Sequence, residues 1–550
     1  MRASKSMALA ALALVSPMLV ACGTGDDAGE EGSGTAGDGS IVVRGCNPEL
    51  PLIPSNTAET CGGNPQDVVT ASLIRYSSDD ATPELDIAES IETDDNMTFT
   101  VKLKEGYMFS DGTEVLAHNF VDAWNYAAHG PNGYQGSYFI GAADIAGYDA
   151  LQCTGEDEEQ PCAGDGAPAA RELTGLEVVD DHTFTITTND PVSNLPVRLG
   201  YIAFAPLPDV FFEDPKAYGQ KPVTAGPYTV DHWTRNEEIE LVKNENYSGE
   251  FEGNVDTITF KMYTDTAAAY NDLRAGNLDL TDEIPTEALT DEVYVDDLEG
   301  RAAQEAVGVF QAVSINPVAD ESLDNPDLRK AISLAIDRQG IIDTIFAGTR
   351  TPADGWVSPV VDGYIEGQCG EWCEFDPDRA KQMLEDAGGY NGELTLTYNG
   401  DGDHGPWSEA ACNSIRQTLE IECTARPIPT FAEFLTKAGN GEIQSLFRYG
   451  WQMDYPSIEN FLVPLYDKDA ASNYFNFNDP EFEELTEQAA QAGTPEEANE
   501  LYQEAERRLA EDMRVIPLWF STATIGWSDK LEDVEITPFG TPAYSEITLK

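Results

Sequence analysis

One stretch of the sequence, residues 448–462 (RYGWQMDYPSIENFL), combines a carboxylate, a guanidinium and several aromatic rings. Arg448 and Asp454 lie on either side of Trp451. An acid and a base among aromatic rings can hold the two ends of a zwitterion, because ion pairs removed from water are strong and directional. The same residues also fit an irregular strand end with ordinary core aromatics, and one motif does not decide between these interpretations.

Catalytic motifs are missing from the sequence. There is no GxSxG elbow, HExxH helix, Walker loop or Rossmann fingerprint behind a strand. Only 5 histidines occur among 550 residues, which leaves little room for general-base chemistry. We therefore predict that the protein is not an enzyme and has no catalytic residues. A hydrolase that uses unpaired carboxylates is the last alternative.

Metal-binding patterns are weak. Residues 399–404 (NGDGDH) place oxygen ligands at alternate positions, as a calcium loop does. The glycine and the terminal acid of such a loop are missing, and Ala410 stands where the acid belongs. Zinc is disfavoured because no CxxC pair occurs and the histidines are scattered. We predict no metal and no cofactor; an acidic, calcium-dependent surface protein remains an alternative from another class.

The charge balance limits the classes of partner that the protein can bind. The chain has 99 acidic residues against 31 lysines and arginines, a formal net charge of −68. Nucleic acid is excluded because phosphate recognition needs concentrated basic residues. Docking on anionic lipid by surface charge is disfavoured for the same reason. At 550 residues the chain is also long enough to form several lobes.

The N-terminus indicates export. Basic residues precede a largely apolar run over 7–20, and Leu-Val-Ala stands directly before Cys22. Residues 1–22 resemble a bacterial lipoprotein signal, which predicts an acylated Cys22 and an extracytoplasmic protein anchored to the cell membrane by lipid alone. A plain secretory signal with an incidental cysteine is the alternative. Residues 23–40 contain no large apolar side chain and are predicted to form a flexible acidic tether.

Eight further cysteines suggest disulfides, because such bonds persist in exported proteins. Many pairings are open to eight cysteines, so our assignment rests on proximity alone. It pairs Cys46 with Cys61, Cys153 with Cys162, Cys369 with Cys373, and Cys412 with Cys423.

Strand and helix patterns alternate along the chain. Apolar residues at every second position in 97–104 predict a half-buried strand, and 183–187 repeats the pattern. Proline-led helices are predicted after Asn325 and Asp376, and Thr494 begins a capping box. No repeat of fixed length accompanies them, so we predict a mixed α/β protein in several lobes.

Several blocks of sequence, in their order, resemble the extracytoplasmic solute-binding lipoproteins of ABC importers, the oligopeptide- and dipeptide-binding family (family 5). The similarity runs through nearly all of the mature chain. The blocks are MTFTVKLKEG at 97–106, FSDGT at 109–113, AGPY at 225–228, KNENY at 243–247, LRAGNLD at 273–279, NP at 316–317, LRKA at 328–331 and AIDR at 335–338.

The resemblance implies roles for particular residues. Arg448, Gly450, Trp451 and Asp454 have the spacing of a peptide-binding segment in that family, in which the aspartate receives the α-ammonium of the peptide. Further residues match other family positions: Arg448 and His404 match groups that meet the carboxylate, Trp451 and Phe431 match aromatics of side-chain pockets, and Tyr134 matches a tyrosine that contacts the peptide. A solvated loop histidine and a core tyrosine are the alternatives for His404 and Tyr134.

The resemblance also implies the architecture. It predicts an α/β periplasmic-binding-protein-like fold of type II, in the large three-lobed variant, with two main lobes hinged around a central cleft. Lobe I would comprise 41–80, 186–309 and 520–550. Lobe II would be the insertion 81–185, and lobe III would be 310–519.

We therefore expect a monomeric, lipid-anchored receptor that binds short peptides in an enclosed cleft and delivers them to an ABC permease and its ATPases. Within the same family, a nickel chelate, an oligosaccharide or another small solute is the alternative ligand. A free amine needs an acid such as Asp454, whereas a sugar needs amides and stacking aromatics without it.

Overall fold

The computed structural model describes residues 39–550, except 58, 156–161, 252, 401, 403, 469 and 471. Cys22, the signal segment and residues 23–38 of the predicted tether lie outside the described residues, as do Asp401 and Asp403 of the calcium-like loop. Within the described residues, no helix is long and apolar enough to cross a membrane.

The largest sheet joins strands from distant parts of the chain, in the order β15-β14-β16-β12-β17-β11-β1-β10-β9-β8, with β13 paired to β17. Its strands are β1 Ser40–Gly45, β8 Tyr228–Thr234, β9 Glu238–Lys243, β10 Thr257–Met262, β11 Leu280–Thr281, β12 Ala302–Ile315, β13 Arg350–Pro352, β14 Leu394–Asn399, β15 Cys423–Ile428, β16 Leu446–Gln452 and β17 Val515–Trp527.

The two long strands β12 and β17 connect the halves of this sheet. They are antiparallel, and their register shifts between Ala306 and Phe310. On one side of the shift β17 also pairs with β11, and on the other side β12 also pairs with β16. Because ladder bonds are interrupted at such a bulge, the strands bend there. The bend is therefore the junction between the two halves.

A separate antiparallel sheet has the order β4-β5-β7-β6. The predicted alternation at 97–104 forms β5, in which Phe99, Val101 and Leu103 are buried while the intervening residues are exposed. Burial of alternate side chains on one face is what holds such a strand in register. The remaining strands are β2 Ile74–Tyr76, β3 Pro83–Leu85, β4 Ala88–Thr93, β5 Thr98–Leu103, β6 Leu176–Asp180, β7 Thr183–Thr187, β18 Leu531–Glu532 and β19 Thr548–Leu549.

The helices begin at the caps that the sequence predicts. Asn325, Asp376 and Thr494 each accept a hydrogen bond from a backbone N–H of the first turn of α10, α12 and α17. The helices are α1 Thr60–Val69, α2 Ala117–Ala128, α3 Ser137–Ala142, α4 Leu195–Arg198, α5 Asp209–Glu213, α6 Pro215–Tyr218, α7 Thr266–Ala275, α8 Thr286–Leu289, α9 Val293–Asp297, α10 Pro326–Leu334, α11 Arg338–Ile345, α12 Pro377–Asp386, α13 Gly405–Leu419, α14 Phe431–Gly439, α15 Ile458–Tyr466, α16 Pro480–Ala490 and α17 Pro495–Asp512.

The described residues form two large hydrophobic cores. The N-terminal core consists of buried side chains between Ile53 and Ala225, and the C-terminal core of buried side chains between Phe310 and Phe520. A smaller cluster, with members from Ile41 to Ile547, joins β1, β8, β9 and β10 to the end of the chain. The division into three lobes with the predicted boundaries stays a prediction.

Four disulfides are present, and they join the same neighbours that proximity suggested. The pairs are Cys46–Cys61, Cys153–Cys162, Cys369–Cys373 and Cys412–Cys423. Each pair closes a short loop, with sequence separations of 15, 9, 4 and 11 residues. Cys412 and Cys423 are buried and fasten α13 to β15 within the C-terminal core.

Candidate functional site

A cavity of about 1060 Å³ lies between the elements of the two large cores. Its walls come from α1, from the junction of β12 and β17, from the end of β16 and from the loop 537–546. The volume is at the upper limit of the range typical of ligand pockets, about 300–1,000 Å³. The cavity therefore has room for a ligand larger than a single amino acid.

Asp454 lines this cavity directly after β16. The strand end is fixed to the β12–β17 junction, because the backbone N–H of Met453 donates to the carbonyl oxygen of Gly308 at 2.8 Å. A Cβ atom at position 308 would lie 2.3 Å from the sulfur of Met453, so a larger residue there would force that side chain to move. The position of Asp454 is thus set by the junction itself.

Asn460, in the first turn of α15, fixes the orientation of Asp454. Its Oδ1 accepts hydrogen bonds from the backbone N–H of Asp454 at 2.9 Å and from the indole N–H of Trp451 at 3.0 Å. Its Nδ2 donates to a carboxylate oxygen of Asp454 at 3.1 Å. Asn460 is fully buried, so its amide is available to these partners without competition from water.

Burial raises the pKa of Asp454 to about 6; the hydrogen bond from Asn460 opposes the shift and the charge of Glu459 adds to it. Among the described residues, no lysine or arginine forms an ion pair with Asp454. A carboxylate away from water is stabilised most by an opposite charge. The site thus presents a negative charge that lacks a positive partner.

Aromatic rings surround this carboxylate. Tyr138, Phe139, Tyr201 and Trp451 line the cavity, and the rings of Phe139 and Tyr201 lie 4.1 Å apart. The charge of Asp454 contributes to raising the pKa values of the phenols of Tyr138 and Tyr201, after the larger effect of burial. Rings of this kind can contact apolar side chains or a cation.

The residues singled out from the sequence divide into two sets. Phe431, Gly450, Trp451 and Asp454 line the cavity. The three others, Tyr134, His404 and Arg448, are absent from its wall. Their predicted roles stay predictions.

The three residues outside the wall have definite neighbours. The guanidinium of Arg448 lies 5.3 Å from the ring centroid of Phe431, which does line the cavity. The Nδ1 atom of His404 accepts a hydrogen bond from the indole of Trp407 at 3.1 Å. Tyr134 packs edge-on against Tyr126 beside the N-terminal core.

A buried ion pair connects the two cores behind Asp454. The guanidinium of Arg198, on α4, lies 3.1 Å from the carboxylate of Glu459, on α15. The same carboxylate accepts hydrogen bonds from the phenol of Tyr455 at 2.6 Å and from the amide of Asn194 at 2.8 Å. The guanidinium of Arg198 also donates to the side-chain oxygen of Asn194 and to the backbone carbonyl of Ala142. Each member of the pair thus has several polar partners, as a buried charge requires.

Sequence reasoning missed Asn460, Tyr138 and Asp67 at this cavity. Asn460 is inside the stretch 448–462, but an asparagine without a family role gives no signal of its own. Tyr138 belongs to the same short segment as Tyr134, but it lies in α3, which begins at Ser137, whereas Tyr134 precedes that helix. The sequence gives no signal that Tyr138 is the one that reaches the cavity. Asp67 is distinguished only by what surrounds it, which a single sequence does not reveal.

Comparison with known proteins gives a consistent result. The family model of the bacterial extracellular solute-binding proteins, family 5, matches residues 82–473, more than half of the chain. The chain is 25% identical over 544 residues to the oligopeptide-binding protein OppA of Bacillus subtilis, which covers 94% of each sequence. It is 25% identical over 504 residues to the periplasmic oligopeptide-binding protein OppA of Salmonella typhimurium, covering 88% of this chain and 87% of that one.

Solved structures share the fold. The murein tripeptide binding protein MppA of Escherichia coli superimposes with a TM-score of 0.73 at 20% identity, covering 93% of this chain and 98% of that one. Haemophilus influenzae OppA, in complex with the peptide RPPGFSPFR, gives a TM-score of 0.70 at 21% identity, covering 94% and 100%. The predicted periplasmic-binding-protein-like α/β fold is thereby confirmed.

Proposed function

Because the chain belongs to family 5 of the bacterial extracellular solute-binding proteins, we propose that it is the peptide-binding receptor of an ABC importer. Members of this family bind solutes for transport, so the prediction of a binding protein rather than an enzyme is confirmed. Short peptides are the proposed solute, and the cavity lined by Asp454 is the proposed binding site.

The unpaired carboxylate of Asp454 is the observation that carries this proposal. It lines the cavity, its orientation is fixed by Asn460, and no described cation compensates it. The α-ammonium of a peptide supplies the missing charge together with N–H donors. Charge-assisted hydrogen bonds of this kind are short and strong, and they strengthen when water is excluded.

A peptide receptor must accept many side chains, so its affinity has to come from groups that all peptides share. Those groups are the ammonium, the backbone amides and the carboxylate. The cavity offers one fixed acid and a wall of aromatic rings, which contact side chains without demanding a particular one. This division between a specific anchor and tolerant walls favours a peptide over a sugar.

Arg448 and His404 remain the proposed partners of the carboxylate at the C-terminal end of the peptide. Contact between the guanidinium of Arg448 and the ring of Phe431 supports this role, because Phe431 lies in the cavity wall. Closure of the lobes about the β12–β17 junction, a hinge motion known from binding proteins, is the proposed way in which both residues reach the ligand.

Membrane anchoring and delivery belong to the same proposal. The segment Leu-Val-Ala before Cys22 supports acylation of that cysteine and attachment to the outer side of the cell membrane. A monomer tethered in this way would deliver its peptide to a permease and ATPase complex.

Native mass spectrometry of the purified protein tests the solute. We expect an added mass that tandem fragmentation identifies as a mixture of short peptides with free amino termini. Isothermal titration of the ligand-free protein with alanine tripeptide and with its N-acetylated form then tests the anchor. A bound sugar or metal chelate, with no heat from any peptide, would refute the proposed function.

The pH dependence of binding follows from the pKa of Asp454. Its pKa of about 6 exceeds the ordinary value of 3.8, so the carboxyl group becomes protonated as the pH falls below 6. Affinity for a free-amine peptide should then fall by up to about tenfold per pH unit, because an uncharged carboxyl group no longer pairs with the ammonium. Titration calorimetry between pH 8 and pH 5 measures this.

The stability of the ligand-free protein should change with pH in the opposite direction to the peptide affinity. A raised carboxyl pKa means that this group stabilises the fold at low pH, and that this contribution is lost as the pH rises through about 6. Glu459, Tyr138 and Tyr201 lie beside the same carboxylate, so the N-acetylated peptide is the control for pH effects on affinity that do not involve the ammonium. Equal affinity for the free-amine peptide at pH 5 and pH 8 would contradict the role of Asp454.

A further inference from the structure

A second acid, Asp67, faces the same cavity from α1. Helical spacing puts Thr60, Gly63, Asn64 and Asp67 on one side of this helix, and all of them line the cavity. Glu59 caps the beginning of the helix, where its carboxylate accepts a hydrogen bond from the backbone of Gly62 at 2.9 Å. Asp67 is thus the only charged group that the body of α1 presents to the cavity.

Asp67 has no partner within the described part of the chain. No hydrogen bond or ion pair reaches its carboxylate, and burial alone raises its pKa to about 7. Its side chain is nevertheless exposed, because the open side faces the cavity while protein surrounds the rest. The carboxylate is therefore open to a cation that enters the cavity, and no side chain of the described structure competes for it.

The other acids of the cavity wall differ in this respect. Asp86 accepts a hydrogen bond from the phenol of Tyr107 at 2.9 Å. Glu546 accepts one from the hydroxyl of Ser78 at 2.8 Å and lies 3.8 Å from a guanidinium nitrogen of Arg75. Glu59 caps α1 by accepting hydrogen bonds from backbone N–H groups. Among the other acids of the described wall, only Asp67 and Asp454 lack both a cation and a hydroxyl donor.

The position of Asp67 in its helix makes the charge more costly. Asp67 is in the last turn of α1, which ends at Val69. The negative end of the helix dipole lies there, and an anion at that end is destabilising. Residues that violate a local rule of this kind without internal compensation are characteristic of functional sites.

Asp67, Asp454 and Tyr201 all line this cavity, and both acids influence the phenol of Tyr201. Both carboxylates contribute to raising the pKa of the Tyr201 phenol, after the larger effect of its burial. Arg75 is the one lysine or arginine in the described cavity wall, and it is already 2.9 Å from Glu84 and stacked on Phe251. No side chain of the described wall is therefore placed to neutralise the pair of acids.

We propose that Asp67 binds a second cationic group of the ligand, so that the cavity selects peptides that carry a lysine or arginine side chain in addition to the α-ammonium. This inference rests on the proposed function, in which Asp454 holds the ammonium. The side chain of the ligand extends past Tyr201, whose ring contacts its methylene groups. The cavity then holds one cation for each uncompensated acid.

Titration calorimetry with paired peptides tests the inference. The peptides are tri-, tetra- and pentamers of alanine in which a single residue is replaced. The replacement is made at each position in turn, either by lysine or by norleucine, which has a similar length and no charge. At the preferred position we expect the wild-type protein to bind lysine about 10- to 100-fold more tightly than norleucine, as a charge-assisted hydrogen bond provides. In Asp67→Asn this preference should fall to about twofold or less, while norleucine peptides bind as before.

The matched control is Glu487→Gln, which removes one negative charge from an exposed residue outside the cavity. It should keep the lysine preference and thereby exclude long-range attraction by the net charge. An unchanged preference in Asp67→Asn, or no preference in the wild-type protein, would overturn the inference. Failure of every peptide to bind the wild-type protein would instead overturn the proposed function as well.

Stability separates a ligand-binding role of Asp67 from a structural one. At pH 8 the ligand-free Asp67→Asn variant should unfold at the same temperature as the wild-type protein or a higher one, because an unfavourable charge is removed. A clear decrease in the unfolding temperature would show that Asp67 holds the structure together, and it would count against the proposal.

Discussion

Replacement of Asp454 by asparagine should weaken the binding of a free-amine peptide by about 30-fold or more. Loss of one partner of a buried, hydrogen-bonded charge pair costs about 2–5 kcal/mol, and every 1.4 kcal/mol is tenfold in affinity. Asparagine retains the shape of the side chain, so the peptide's ammonium loses its counter-charge while the cavity stays filled. Titration calorimetry at pH 8 measures the loss directly.

Acetylation of the peptide's amino terminus provides the matched comparison, because it removes the same ion pair by changing the ligand instead of the protein. The wild-type protein should bind the N-acetylated peptide as weakly as Asp454→Asn binds the free one. In Asp454→Asn, acetylation should then change the affinity little, since the two changes remove one shared interaction. If both changes weaken binding independently and additively, the ammonium lies elsewhere and Asp454 has another role.

The second large effect should come from Arg198→Met, which leaves Glu459 buried without its cation. The side chains of Arg198 and Glu459 are only 11% and 2% exposed. Breaking a buried pair by removing one partner costs about 3–5 kcal/mol of folding free energy, because an uncompensated charge remains inside the protein. We expect a marked decrease in the urea concentration at the midpoint of unfolding.

Two further variants make this result specific. The double variant Arg198→Met/Glu459→Gln removes both charges and should recover most of the lost stability. Arg507→Met breaks an exposed pair with Glu504, with 51% and 57% of the side chains exposed, and should cost less than about 1 kcal/mol. Equal effects of Arg198→Met and Arg507→Met would mean that the pair between the cores is not energetically important.

Local structure could be predicted from this sequence wherever side-chain spacing and caps decide it. The alternation of 97–104 became β5, and the capping box at Thr494 became the start of α17. Helix α2 begins only at Ala117, because Leu116 still has extended backbone angles. Helix ends depend on such local geometry, which spacing alone does not determine.

The site was predictable only in part. Asp454 was found because its spacing from Arg448, Gly450 and Trp451 resembles a known segment. Asn460 has no such pattern, although it holds the carboxylate. Asp67 is one acid among 99, and its lack of partners is a property of the fold. Which residues form a cavity wall depends on the docking of distant strands, and no local rule encodes that docking.

The short disulfide loops also affect how the chain forms its disulfide bonds. A polypeptide that emerges amino-terminus first exposes its cysteines in order, and each one here meets its partner within 4 to 15 residues. Closure of a short loop costs less chain entropy than closure of a long one, so the nearest partner is also the one encountered most often. Oxidation during emergence therefore favours the native set and leaves few mispaired bonds to rearrange. None of these four disulfides joins the two large cores, so they leave the proposed hinge motion at the β12–β17 junction without a covalent restraint.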